Sequence, residues 1–131
     1  MKGVKIGLQI CFDWHFPEAW RILALKGAQI ICHPSNLVIP ELSLRALPGH
    51  ALCNRVFVVT ANRIGRERGM TFIGRSTIWS TKGEILAQAP ADKEALKVVE
   101  FDPALANRKH LTPKNNLFRD IRIKLPVDAV G

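Results

Sequence analysis

VKIGLQICFDWHFPEAWRILALKGAQIICHPS, residues 4–35, reads as a strand, a sharp turn, a helix and a second strand. In residues 4–11, Val4, Ile6, Leu8 and Ile10 alternate with Lys5, Gly7, Gln9 and Cys11. That period of two predicts a strand with one buried, aliphatic face. Pro17 suits the first turn of a helix, where a missing N–H costs nothing, and Glu18 suits the positive end of the helix dipole. Trp20, Ile22, Leu23, Ala24 and Leu25 make that helix largely buried, and Gly27 is placed to end it in the left-handed region. Ala28–Cys32 is a short apolar run closed by His33 and Pro34. Cys11 therefore falls at the C-terminal end of a strand on the turn into a helix, where α/β architectures place reactive groups.

The chain has 131 residues, 47% hydrophobic and 23% charged, which suits one soluble globular domain. No apolar run approaches a membrane span, and the N-terminus lacks the apolar core of a signal peptide. Cys11, Cys32 and Cys53 are an odd number of cysteines, read as reduced thiols in a cytoplasmic protein. Their spacings form no CxxC pair, and Cys32-His33 lacks further ligands, so no metal site is predicted. The net charge of +8 is spread over both halves of the chain. Its one concentration is Arg108, Lys109, Lys114, Arg119, Arg122 and Lys124 against Asp120. Phe118 is the only aromatic there, so a solvated face or an acidic partner is favoured over nucleic acid.

Beyond residue 35, Leu37–Pro40 reads as a loop, and residues 41–55 as a helix interrupted at Pro48-Gly49. Val56–Ala61 is a β-branched run that predicts a buried strand. Asn62–Gly69 reads as a loop, and Thr71–Ser80 with Glu84–Gln88 as a hairpin turning at Thr81-Lys82-Gly83. Leu96–Phe101 reads as a further strand, and Asp102-Pro103 as the start of a helical turn. Residues 108–131 show no periodicity and read as an extended basic tail after a domain of residues 1–107. The order β-α-β-α-β followed by further strands is an α/β layer with an antiparallel extension. Its apolar faces are more numerous than so few elements can cover.

Cys11 is the leading candidate for chemistry. The thiolate is the nucleophilic form, and a nearby helix N-terminus is one environment that favours it; a buried structural thiol is the competing reading. Cys32 and Cys53 read as packing residues. A cysteine nucleophile needs a base and an oxyanion site. Asp13, His15, Glu18 and His33 are near in sequence, but no spacing fixes either histidine beside Cys11. Asp13 and Glu18 are explained as turn and dipole partners, with Arg21 three residues after Glu18. The backbone N–H of Phe12 is placed to serve as an oxyanion donor. The residues offer a nucleophile without a convincing base.

Ile10-Cys11-Phe12-Asp13 with Phe16-Pro17-Glu18, Arg21, Ala24, Gly27-Ala28, Ile30-Ile31 and Pro34-Ser35 resembles the nucleophile segment of the nitrilase superfamily, the carbon–nitrogen hydrolases. Asn54-Arg55-Val56, Thr60 to Arg63, Gly65, Phe72 to Ser76 and Lys82-Gly83-Glu84 extend the resemblance to about Asp102. It implies a four-layer α-β-β-α sandwich, of which this chain resembles only the C-terminal half. It implies hydrolysis of a small-molecule amide, carbamoyl amide or nitrile through an intermediate bonded to Cys11, with the Phe12 amide in the oxyanion site. Asp13, Trp14 and Phe16 would form the pocket floor, and Pro34, Ser35 and Asn36 one wall. No metal or organic cofactor is implied, and members usually form dimers or larger assemblies.

Two departures stand out. The family's catalytic glutamate and lysine come from the half of the fold before the cysteine strand, and only ten residues precede Cys11. Lys2 and Lys5 belong to the strand itself and match neither role. Many members also carry glutamate where this chain has Cys53. The missing half would account for both the absent base and the surplus of apolar faces. Three expectations follow: a partner chain supplying the N-terminal half, self-association without family activity as an oligomerising remnant, or a start assigned too late in a longer reading frame.

Overall fold

The structure, a computed structural model, describes residues 3–39 and 41–122. Strand β1 (Ile6–Leu8) leads into a 3-10 turn, Cys11–His15, and helix α1 (Pro17–Leu25). Pro17 opens α1 as expected, and Gly27 at φ +93° ends it. The Gly27 N–H donates to Ala24 O and the Ala28 N–H to Leu23 O, both at 3.0 Å, the paired bonds of a Schellman cap. Strand β2 (Ile30–Ser35), helix α2 (Leu42–Asn54) and strand β3 (Phe57–Asn62) follow. Strands β1, β2 and β3 are parallel neighbours, each joined by one helix. The sheet is extended antiparallel by β6 (Thr77–Trp79) and β7 (Ile85–Gln88), giving the order β1-β2-β3-β6-β7. A short ribbon, β4 (Arg66–Glu67) with β5 (Met70–Thr71), stands apart from it.

Both helices pack on one face of this sheet. Trp20 and Ala24 of α1 and Leu47 and Ala51 of α2 close over Ile31, Val58 and Trp79 in the main core. On the opposite face Ile30 and Phe57 meet Ala106, with Phe101 stacked on Phe57 at 4.0 Å. A 3-10 turn at Pro103–Asn107, capped by the Asp102 carboxylate on the Ala104 N–H, lays this cover down. It covers only part of the face.

Strand β1 is inverted relative to the expected pattern. Gly7 in the strand and Gln9 just after it are buried, whereas Ile6, Leu8 and the following Ile10 are 52%, 65% and 64% exposed. Gly7 explains the inversion. A Cβ there would sit 3.1 Å from Leu23 Cδ1 and 3.4 Å from the side chains of Ala28 and Ile31, so the glycine lets α1 lie close. The aliphatic row is left on the face away from the helices.

Other expectations also change. Helix α2 runs through Pro48 without a break, because Leu47 and Ala51 bury its inner face on both sides of the proline. Residues 96–101 form no strand, and Leu96 and Val98 point to solvent at 89% and 82% exposure. The expected loop at 62–69 ends β3 and contains β4. Residues 108–122 are folded rather than extended. Asn116 Oδ1 accepts the N–H groups of Phe118 and Arg119, an Asx-type turn. Lys109 Nζ donates to Asn54 O and Arg55 O at 2.8 and 3.0 Å, tying this segment to the C-terminal end of α2. Lys124 and Pro126 lie outside the described residues.

Candidate active site

The Cys11 turn is fixed from both ends. The Gln9 N–H donates to Cys32 O at 3.0 Å, continuing the β1–β2 ladder up to the cysteine. Cys11 then takes φ +45°, a left-handed value that a non-glycine residue adopts only when its surroundings impose it. Asp13 closes the turn: its carboxylate accepts the Ile10 N–H at 2.7 Å, and its own N–H donates to Ile10 O at 3.0 Å. The Phe12 N–H lies in the first turn of the 3-10 segment, where no carbonyl within the turn can accept it.

A small cavity of about 70 Å³ opens at this turn, lined by Cys11, Phe12, Trp14, Asn36, Ser43 and the aliphatic run that follows Asn36. Ser43 Oγ is buried there without a hydrogen-bond partner among the described residues. Among the described residues, the lining includes neither carboxylate nor lysine.

Of the residues expected at the pocket, Cys11, Phe12, Trp14 and Asn36 come together around this cavity. Asp13 spends its carboxylate on the backbone of Ile10. Phe16 is exposed, its ring edge-on to Phe12 at 5.7 Å. Pro34 is exposed at the end of β2, and the Ser35 hydroxyl rests on the His33 ring at 3.1–3.3 Å from its nitrogens. His15 is exposed and stacked on Phe12. Cys53 is exposed on α2 rather than packed, and burial pushes the half-buried Cys32 thiol up. Arg21 gives one N–H to Cys53 O at 2.9 Å.

His33 is fully buried, and it reaches Cys11 through the backbone rather than the thiol. Its Nε2 lies 2.7 Å from Cys11 O; a carbonyl only accepts, so Nε2 carries the proton. Nδ1 faces the Thr60 hydroxyl at 3.2 Å, across the β2–β3 register. Burial pushes the His33 pKa down, against the opposing pull of the Cys11 carbonyl and Asp13. Two further ring donors serve the same turn: Trp20 Nε1 gives its proton to Asp13 O at 2.9 Å, and His50 Nε2 gives its own to Trp14 O at 2.7 Å. Neither Trp20 nor His50 stood out in the sequence. Nothing local distinguishes a helical tryptophan that donates to a turn from one that only packs.

A family model for carbon–nitrogen hydrolases matches residues 1–109. The chain belongs to this family. It is 50% identical over 119 residues to a nitrilase of Pyrococcus abyssi, covering 91% of this chain and 45% of that protein. Among solved structures, the NitN amidase of Nesterenkonia sp. AN1 superposes with a TM-score of 0.72 at 30% identity, over 82% of this chain and 43% of the amidase. A mutant of the amidase from that source shows Michael addition of acrylamide at its active site cysteine; it superposes with a TM-score of 0.65 at 32% identity, over 70% of this chain and 37% of its own. This carbon–nitrogen hydrolase chain thus spans about half the length of the relatives it matches. Its sheet and helix pair are a mixed α/β fold of the nitrilase type, one α layer on one β layer. Among the described residues, no helix is long and apolar enough to cross a membrane.

Proposed function

We propose that Cys11 is the nucleophile of a carbon–nitrogen hydrolase site that this chain builds in part. The observation that carries the reading is Cys11 held at φ +45° on a strand-to-turn junction, lining a small cavity with Phe12, Trp14 and Asn36. The substrate class is a small amide, carbamoyl amide or nitrile. For an amide, Cys11 Sγ loses its proton to a base and adds to the carbonyl carbon, and the Phe12 N–H receives the oxyanion. Collapse breaks the C–N bond, and the base returns its proton to the leaving amine. Water then cleaves the thioester, releasing the acid and restoring the thiol. Trp14 and Asn36 wall the substrate.

The base and a lysine ammonium come from a second polypeptide segment seated on the exposed β1 face, since the cavity lining holds neither group. The chain by itself is therefore expected to turn over no amide or nitrile. Assembled with a segment bearing the glutamate and lysine, it is expected to hydrolyse amides and to lose that activity in Cys11→Ala. Robust hydrolysis by the 131-residue chain alone, abolished by Cys11→Ala, would overturn the divided site.

A further inference from the structure

The turn that carries Cys11 makes its own backbone bonds, yet three of its carbonyls are met by ring N–H groups from three different elements. His33 of β2 takes Cys11 O, Trp20 of α1 takes Asp13 O, and His50 of α2 takes Trp14 O, at 2.7, 2.9 and 2.7 Å. The rings that supply these protons form one continuous stack. His50 lies flat on Trp20 at 4.6 Å and 4°, and His33 meets Trp20 edge-on at 5.6 Å and 65°. Trp20 and His33 are each fully buried, so neither ring has solvent to adapt to. Thr60 holds His33 from its other side, at Nδ1.

We infer that the His33–Trp20–His50 stack is a positioning device for the nucleophile, setting Cys11 against the cavity by clamping the carbonyls of its turn. The inference rests on the reading of Cys11 as nucleophile. The logic is mechanical. A left-handed residue relaxes to an ordinary φ unless it is over-determined, and relaxation at Cys11 would swing its Sγ. Local bonds alone hold the turn weakly, because a 3-10 turn is short and its hydrogen-bond geometry is poor; Asp13 O takes the Phe16 N–H at 3.1 Å as well as the Trp20 ring N–H. Donors on β2, α1 and α2 tie the turn to the three elements that make the core. Ring donors suit the task because a planar N–H on a stacked ring has a fixed direction, whereas a lysine or serine donor rotates. None of the three is a catalytic residue, since each contacts backbone carbonyls and acts through Cys11.

The test is selective alkylation of the full chain with iodoacetamide, read by peptide mass spectrometry, with the exposed Cys53 as internal reference. His50→Phe keeps the stacked ring and removes the N–H; because His50 is only partly buried, this variant is expected to fold. Trp20→Phe and His33→Met remove the other two donors, and His33→Gln restores a donor near the Nε2 position. In His50→Phe, Trp20→Phe and His33→Met the Cys11 rate relative to Cys53 is expected to fall at least threefold, and in His33→Gln to return to within twofold of the parent. Thermal melting of each variant separates this effect from unfolding. A folded His50→Phe protein whose Cys11 reacts at the parental rate overturns the clamp alone. A parental Cys11 that reacts no faster than Cys53 even after assembly with the segment that brings the base overturns the nucleophile reading, and the clamp with it.

Discussion

Replacing Ile6, Leu8 and Ile10 together by threonine tests the open face of the sheet. These side chains are 52%, 65% and 64% exposed, so about six-tenths of each remains to be buried by whatever covers β1. Full burial of an Ile or Leu side chain contributes about 1.5–3 kcal/mol, so the three together hold back about 3–5 kcal/mol. That corresponds to roughly a hundredfold to several thousandfold in affinity for the covering segment. The methyl each threonine keeps is offset by a hydroxyl buried without a partner. The partner for the assay is the part of the Pyrococcus abyssi nitrilase that this chain does not match, co-expressed and purified with it. Sedimentation equilibrium is expected to show an assembly weakened at least a hundredfold by the triple variant. The isolated chain should change little, by about 0.5 kcal/mol per exposed site at most. Equal assembly by parent and variant would refute the claim that this face is the docking surface.

Three further outcomes follow from particular contacts. His33 and His50 are held below their ordinary value of 6.5, first by burial, with Asp13 and His50 the charges that bear on His33. Stability is therefore full above pH 6.5 and lost as pH falls below it, so melting at pH 7.5 and 5 should show a loss that His33→Gln with His50→Gln reduces. The Lys109 ammonium is pushed from 10.5 down to about 8, by burial first and then by Arg21 and Arg55. Folding disfavours its charged form, so stability should rise between pH 8 and 10.5, by about 1 kcal/mol after solvent screening, and denaturant titrations of Lys109→Met should lack that rise. Gly74 has φ +58°, and a Cβ there would lie 2.1 Å from Ala91 O, so Gly74→Ala should lower stability by about 3 kcal/mol or more in the same titration.

The elements legible in the sequence were those whose signals are local. Pro17 and Gly27 mark the ends of α1 because a fixed φ and a left-handed φ are properties of single residues. The apolar run of β3 and the turn before Glu84 are read in the same way, and Gly83 at φ +77° turns the β6–β7 hairpin. Pro48 misled for the opposite reason. The cost of a proline inside a helix is local, but the burial of Leu47 and Ala51 that offsets it is not. The alternation in residues 4–11 gave the correct period and the wrong face. Periodicity divides a strand into two sides without saying which one meets the helices, and here Gly7 decides it by admitting Leu23.

The same distinction governs the site. The place of Cys11 and Phe12 at a strand-to-turn junction is legible because that signal is local, and Asn36 lines the same cavity because it follows β2 closely. Asp13 was correctly read as a turn partner, since its carboxylate acts three residues away. His33 is a candidate base for the thiol by sequence, and chain distance cannot say that its Nε2 instead finds the Cys11 carbonyl. Trp20 and His50 sit 30 residues apart and become one stack only when α1 and α2 pack together. The chemistry of a nucleophile is written near it in the chain, whereas the means of holding it in place is distributed over every element that touches it. In this protein that division has a consequence. The three ring donors on β2, α1 and α2 lie wholly within the described residues, and among those residues the cavity lining includes no carboxylate. Cys11 is left-handed, and its turn carbonyls are met by the buried Trp20 and His33 and the half-buried His50. That strain, with an aliphatic row left open beside it, supports the proposal that a further segment completes the site.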